Sequence, residues 1–400
     1  MGTFNFTDKN GNQGTVEGVN DTDYATLNDL IEAVNIIGQS SSARNFIDSI
    51  LRKDFINYTH RGSWSSNRTS VTTPSDLYVN VDSTCYEALE PVTLSLADAT
   101  NWDNSTYTTG SNRAGKDFYI YACVTNDGLK FVLSANSTVP TGYTASNSRK
   151  IGGFHCLCLN VGTISGHPAS GYVTGDIIPL SVWDLLHRPI CSPEGMVYIE
   201  ELNKWVAIYL PSWDGSKLVS RFGGVIVDGV STTAMDGEQF AEFAGLAKCH
   251  LHSRDEFKVF AFGSNQKTNI AGSTDPVTTG GHTDTAGRRM ISNYFIEDCC
   301  GVLWQWSRDL FEAMSITWNS NNTWIDGYSW QTKPVVSTIG DSSHRDLGSC
   351  AGLLRRAIVG GPWGDGSACG SRSVLCYSFG SPVHASLSGR LVSDKKTVVL

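Results

Sequence analysis

Eleven cysteines and nine histidines are the residues of this 400-residue chain best suited to metal or covalent chemistry. Three spacings bring possible zinc ligands close: Cys156-x-Cys158, His250-x-His252 and Cys299-Cys300. A structural zinc site draws four ligands, commonly from two separated short-spaced pairs, and no CxxC…CxxC pattern occurs. On a strand, residues two apart share a face without surrounding an ion. The expectation is buried, reduced thiols, since a chain of this length folds without covalent staples. Ser, His and Asp are all present, but no Gly-x-Ser-x-Gly elbow leads into a helix. Asp326 and Asp341 stand in turns without the partner carboxylate that glycoside hydrolysis needs. Asp275, Asp284 and Asp341 lie in polar loops of the kind that hold a structural calcium, without EF-hand spacing. No catalytic constellation and no required cofactor are expected.

The other chemistry on offer is recognition. Between Gly361 and Arg390, small and turn-forming residues alternate with side chains suited to contact: Pro362, Gly364, Asp365, Ser367, Ser373, Tyr377, Ser378, Phe379, His384, Ser386 and Ser388. Tyr, Phe and His with Ser and Gly form the low-entropy, amphipathic mixture of an antibody-like paratope. Trp363, Val374, Cys376, Val383 and Leu391 are read as the inward neighbours that hold this segment to a core. The bland alternatives stay open. The serines serve equally as turn caps, Tyr377 and Phe379 as satellite core, His384 as either, and Pro362 as the start of an edge strand.

The elements that must position these residues read as mostly β. Hydrophobic residues make up 40% and charged ones only 17%, with 40 glycines, a profile that suits loop-rich sheets better than helical bundles. Thirty basic against 39 acidic side chains leave −9 at pH 7, which opposes general attraction to nucleic acid or an anionic membrane. No apolar run approaches the roughly 20 residues of a membrane-spanning helix. The opening MGTFNFTDKNGNQG has neither basic leader nor apolar centre, so cleaved export is not expected.

Along the chain, residues 1–55 read as an attachment or oligomerisation segment, with two short helices between Tyr24 and Leu51. Residues 56–170 read as a β-rich domain. In it Phe118–Val124 and Leu129–Leu133 flank Thr-Asn-Asp-Gly as a hairpin, and another strand begins at Lys150. Residues 171–400 form the last unit. There Met196–Leu210 reads as two strands joined at Glu-Leu-Asn, and a helix after Asp236 runs through Phe240, Phe243 and Leu246.

Within that last unit stand Gly301-Val-Leu-Trp304-Gln-Trp306-Ser-Arg308-Asp309, Gly360-Gly-Pro-Trp363 and Ser388-Gly389-Arg390-Leu391. These words resemble the Trp-x-Trp, Gly-Gly-x-Trp and terminal Gly-x-Arg strands of the C-type-lectin-like fold in its formylglycine-generating-enzyme branch. Within that branch the chain is similar to the variable proteins of diversity-generating retroelements. The resemblance implies an α+β, mainly β architecture, a C-terminal C-type-lectin-like domain behind a β-rich domain and short helices. It implies a variable region over about 357–392 on an invariant frame that includes Trp363, Arg372, Gly389 and Arg390. Trp304 and Trp306 are read as core, Arg308 and Asp309 as a local pair, and Arg390 as buried beside a carboxylate. The oxidases of the branch work through thiols, and the spacing of Cys299-Cys300, Cys369 and Cys376 departs from their pattern. The implied role is noncovalent recognition of a host-surface protein or glycan by a phage tail tip. Other tail proteins would meet the N-terminal region, and a homotrimer is one form of display. A bacterial surface binder and a structural virion protein are the alternatives.

Overall fold

The computed structural model describes residues 2–7, 13–19, 58–312 except 83 and 232, 354–379 and 384–397. The helices expected between Tyr24 and Leu51, and Asp326, Asp341 and Val383, lie outside these residues. The chain opens with an antiparallel hairpin of β1 (Gly2–Thr7) and β2 (Gln13–Val19).

Two small three-stranded sheets follow: β3 (Tyr58–Thr59), β6 (Leu77–Val81) and β7 (Thr84–Ala88), then β4 (Ser65–Ser66), β5 (Ser70–Thr72) and β8 (Thr93–Ser95). The expected hairpin forms from β9 (Asp117–Thr125) and β10 (Gly128–Ser134). Thr125 faces Gly128, so Asn126 and Asp127 make the turn, and Gly128 takes the positive φ of 109° that its lack of a side chain permits. With β11 (Ser148–His155) and β12 (Trp183–Asp184) the sheet runs β10-β9-β11-β12.

β9 is apolar almost throughout because both its faces are covered. Phe118, Ile120 and Ala122 enter a core with Leu77, Val79, Phe131 and Phe154. Tyr119, Tyr121 and Cys123, on the opposite face, enter a second core with Trp183, Met196 and Trp205. One sheet therefore joins the N-terminal and C-terminal halves.

The next four-stranded sheet has the order β13-β14-β22-β17, from β13 (Met196–Ile199), β14 (Lys204–Ala207), β17 (His250–Leu251) and β22 (Leu391–Asp394). Residues Glu200–Leu202 link β13 to β14 as the sequence predicts, and Asn203 takes the left-handed conformation, φ 51°. Alternation again divides cores: Trp205 and Ala207 face one, Val206 and Ile208 the other. A hairpin of β15 (Pro211–Trp213) and β16 (Leu218–Ser220) packs beside it.

The helix expected after Asp236 spans Gly237–Leu246, and Asp236 accepts from the Glu238 and Gln239 amides in a capping box. A second helix, Arg254–Phe260, was not foreseen. Its signal was Ser253-x-x-Glu256, a capping box closed in both directions. The final sheet carries β18 (Trp304–Glu312), β19 (Leu354–Gly360), β20 (Gly370–Phe379) and β21 (Leu387–Ser388) in the order β20-β19-β18-β21. The whole is a mixed α and β fold dominated by antiparallel sheets, with few short helices.

Candidate recognition surface

The register of the last sheet decides which predicted residues can act together. Trp304 pairs with Leu387, Gln305 with Val359, and Gly360 with Gly370. The start of β18, the end of β19, the start of β20 and the start of β21 therefore lie at one end of the sheet. Residues 361–369 and His384–Ser386 emerge together there. Ser378 and Phe379 pair with Arg356 and Arg355 near the other end, about 17 Å along β19 from Gly360 at 3.3–3.4 Å per residue.

The loop leaves β19 through Gly360 and Gly361, with φ of 96° and 87°. A Cβ on Gly361 would sit 2.7 Å from Cys369 Sγ, and one on Gly360 would sit 2.5 Å from the Cys299 carbonyl oxygen. Only glycine combines that conformation with that closeness. Gly301 N–H donates to the Gly361 carbonyl at 3.0 Å, and the Cys369 thiol to the Pro362 carbonyl at 3.3 Å. Residues Gly366–Ala368 form one 3₁₀ turn, and Asn269 Nδ2 holds the Trp363 carbonyl. Gln266 fixes the start of β20 from both directions: its Nε2 donates to Ser371 Oγ (3.0 Å) and its Oε1 accepts from Ser371 N–H (3.2 Å).

On this held backbone Gly364, Asp365, Ser367 and Ala368 are exposed. Ser373 is half-buried and donates its hydroxyl to the Ala368 carbonyl. His384 is exposed, and Ser386 is half-buried beside it. The Ser386 amide donates to His384 Nδ1 at 3.1 Å, so the neutral ring carries its proton on Nε2. Asp275, expected only as a calcium ligand, belongs in this neighbourhood. Burial lifts its carboxyl, Asp228 adds to that, and His384 opposes it.

Several sequence expectations need correction. Ser388 is fully buried, its hydroxyl donating to the Val227 carbonyl at 2.7 Å, so it belongs to the frame. Pro362 is buried beneath the loop. Arg372, expected in the frame, is exposed, as are Val374 and Cys376, while Leu375 packs inward. Over residues 372–376 the inward and outward faces of β20 are thus the reverse of the expectation, because one residue of register exchanges the two faces of a strand. Tyr377, Ser378 and Phe379 lie in β20, and their side chains are outside the described residues.

The frame residues divide by depth. Trp306 is fully buried, whereas Trp304 and Trp363 are half-buried, Trp363 against Leu210, Met290 and Leu303. Gly389 is buried with Phe240 Cδ1 3.0 Å from where a Cβ would stand. Arg308 and Asp309 do not pair. Arg308 reaches Glu256 at 3.0 Å, and Asp309 accepts from the Arg254 amide at 2.6 Å. Nor does Arg390 meet a carboxylate. Nε donates to Gln305 Oε1, Nη1 to the Ala207 and Ile208 carbonyls, and Nη2 to those of Glu297 and Asp298, at 2.7–3.2 Å. The carboxylates of Glu297 and Asp298 turn instead to Arg289 at 2.6 Å and His282 at 3.0 Å.

None of this assembles reactive groups. Burial pushes the Cys369 thiol up to about 11 and the Cys299 thiol likewise to about 11, which suppresses the nucleophilic thiolate. Cys156 and Cys158 enter different cores, and burial drives the His252 imidazole down to about 3. Asp284 closes its own loop, accepting from the Ala286 and Arg288 amides and Thr268 Oγ1. Among the described residues no three His, Cys, Asp or Glu side chains converge as metal ligands.

Residues 67–184 match a family described as the second domain of Mtd. The tail fiber receptor-binding protein of Bordetella phage BPP-1 is 30% identical over 304 residues, covering 70% of this chain and 71% of that protein. Among solved structures, the U1 variant of the major tropism determinant aligns with a TM-score of 0.66 at 23% identity. The M1 variant aligns with 0.64 at 24%. Each covers 88% of both chains. The chain therefore belongs to the Mtd-like family of diversity-generating-retroelement variable proteins, together with that phage receptor-binding protein.

Proposed function

We propose that this protein recognises a host-cell surface receptor, a protein or a glycan, without covalent chemistry from the tip of a phage tail. The contact face comprises Gly364, Asp365, Ser367, Ser373, His384 and Ser386, with Arg372, Val374 and Asp275 as additions the sequence did not suggest. Tyr377, Ser378 and Phe379 extend it along β20. The observation that carries the reading is the convergence of residues 361–369 and His384–Ser386 at one sheet end, exposed above main chain held by Gly360, Gly361 and Gln266. Such a surface changes its side chains without moving its backbone, and pre-organised backbone lowers the entropic cost of binding. The N-terminal segment attaches the protein to other tail components, and a homotrimer presents three faces, so modest single contacts combine into avidity.

The double variant Asp365→Lys, Ser367→Lys tests this reading. Both positions are exposed, so melting should shift by no more than about 1–2 °C, while binding of the full chain to host cells falls at least about tenfold, the cost of losing ~1.4 kcal/mol at the interface. Lys396→Glu, exposed two residues beyond β22, should leave binding unchanged. Unaltered binding by the double variant would remove this loop from the receptor contact.

A further inference from the structure

A second concave site lies away from the recognition end. A cleft of about 300 Å³ is lined by Lys150, Arg188, Lys217 and Lys248, with Glu194 the single carboxylate and Cys191 in its wall. Four cations against one anion is an unusual concentration in a chain of net charge −9, and clustered like charge in a recess focuses the field on small anions. Exposed Ile190 and Leu246 flank it. An adjoining cavity of about 230 Å³ shares Cys191, Glu194 and Lys217 and adds Cys249.

The two thiols line that smaller cavity together. Cys191 sits in the segment leading to β13, with its amide on Ser393 Oγ at 3.3 Å. Cys249 follows the helix Gly237–Leu246 and precedes β17. Both are free thiols, Cys191 donating to the Ser192 carbonyl at 3.1 Å and Cys249 to the Ala247 carbonyl at 3.6 Å.

We propose that Cys191 and Cys249 are a disulfide in waiting, closed by exchange with an anionic low-molecular-weight disulfide that the cationic cleft admits. The neighbouring Cys249 lowers the Cys191 thiol, while Cys191 and burial raise that of Cys249, which sets the order of events. The Cys191 thiolate attacks one sulfur of the small disulfide, forms a mixed disulfide and expels one thiolate. Cys249 then gives its proton to solvent and attacks the Cys191 sulfur, forming the internal bond and expelling the second thiolate. Two protein thiols lose two electrons, and one small disulfide becomes two thiols. The bond ties the segment before β13 to the corner between helix and β17. The chemistry stands apart from receptor binding. Its timing rests on the phage reading, in which a protein folded inside a reducing cell later meets an oxidising exterior.

The experiment uses the full reduced chain and two small disulfides at equal concentration, anionic glutathione disulfide and cationic cystamine, followed by alkylation, intact mass and peptide mapping. The expected product is a linked Cys191–Cys249 peptide, formed at least fivefold faster with glutathione disulfide. Lys217→Gln with Lys248→Gln should bring that ratio towards one, and Cys249→Ser should stop at a glutathione adduct on Cys191. Closing a long loop should raise the melting temperature by about 3 °C or more, reversed by dithiothreitol. Cys376, exposed on β20, reports unselective oxidation. Full alkylation of both thiols after exposure, a persistent adduct in the parent chain, or equal rates with the two disulfides each overturns the proposal.

Discussion

A guanidinium presents five donors in one plane, and Arg390 spends them on four main-chain carbonyls and one amide oxygen with no exposure to solvent. Burial pulls its pKa down, while these acceptors keep the desolvated cation satisfied. Lysine offers three donors from a single point, so Arg390→Lys leaves buried carbonyls dry and should cost about 3–5 kcal/mol, measured as the loss of stability in urea. The sequence showed that Arg390 mattered and misnamed its partners. Guanidinium chemistry suggests a carboxylate, and only the fold reveals that the carbonyls of 207–208 and 297–298 arrive together. Ser388 failed for a related reason: a serine that caps a buried carbonyl and a serine that meets solvent are the same letter.

At the scale of elements, local signals were reliable where they were self-contained. The β9–β10 hairpin, the β13–β14 pair and the helix after Asp236 each rest on turn or cap chemistry within a few residues. The facing of β20 does not. Its pairing with β19 shifts register twice, between Arg356 and Ile358 and between Val359 and Gly360, so its period cannot be extrapolated from either end. Two tests belong here. Gly361→Ala, strained in conformation and crowded by Cys369, should lose about 2 kcal/mol or more in thermal unfolding, whereas Gly364→Ala, with open space around it, should stay within about 0.5 kcal/mol. Asp236 supplies the other. Burial raises its pKa from 3.8 to about 6 in the fold. The folded state therefore holds the proton more tightly than the unfolded chain. The associated stability is complete below about pH 4 and is lost as pH rises through about 6, up to about 3 kcal/mol. Asp236→Asn keeps the cap and should flatten that portion of the urea midpoint against pH.

Across the whole molecule the halves are joined by a polar relay as well as by β9. Asp117 Oδ1 meets His155 Nδ1 at 2.8 Å and accepts from the Gly195 amide at 2.9 Å, while His155 Nε2 meets the Tyr209 hydroxyl at 3.0 Å. Asp117 and His155 belong to the sheet of the N-terminal half, Gly195 and Tyr209 to the C-terminal half. Asp117→Ala removes the shared acceptor, leaves the buried His155 short of a partner and should split or broaden a single calorimetric transition into two. A relay of residues so far apart in sequence leaves no local motif, which is why none was legible before the fold.

The grip of Arg390 on peptide oxygens has an evolutionary corollary. Apart from the Gln305 side chain, the clasp touches only backbone, so its hold on the carbonyls of 207, 208, 297 and 298 does not depend on the side chains there, provided the strands keep their course. Residues 207 and 208 can change without loosening the grip of Arg390, whereas Glu297 and Asp298 remain tied by their carboxylates to Arg289 and His282. Such indifference lets a scaffold drift far in composition while the end that meets the outside world is rewritten on its own schedule.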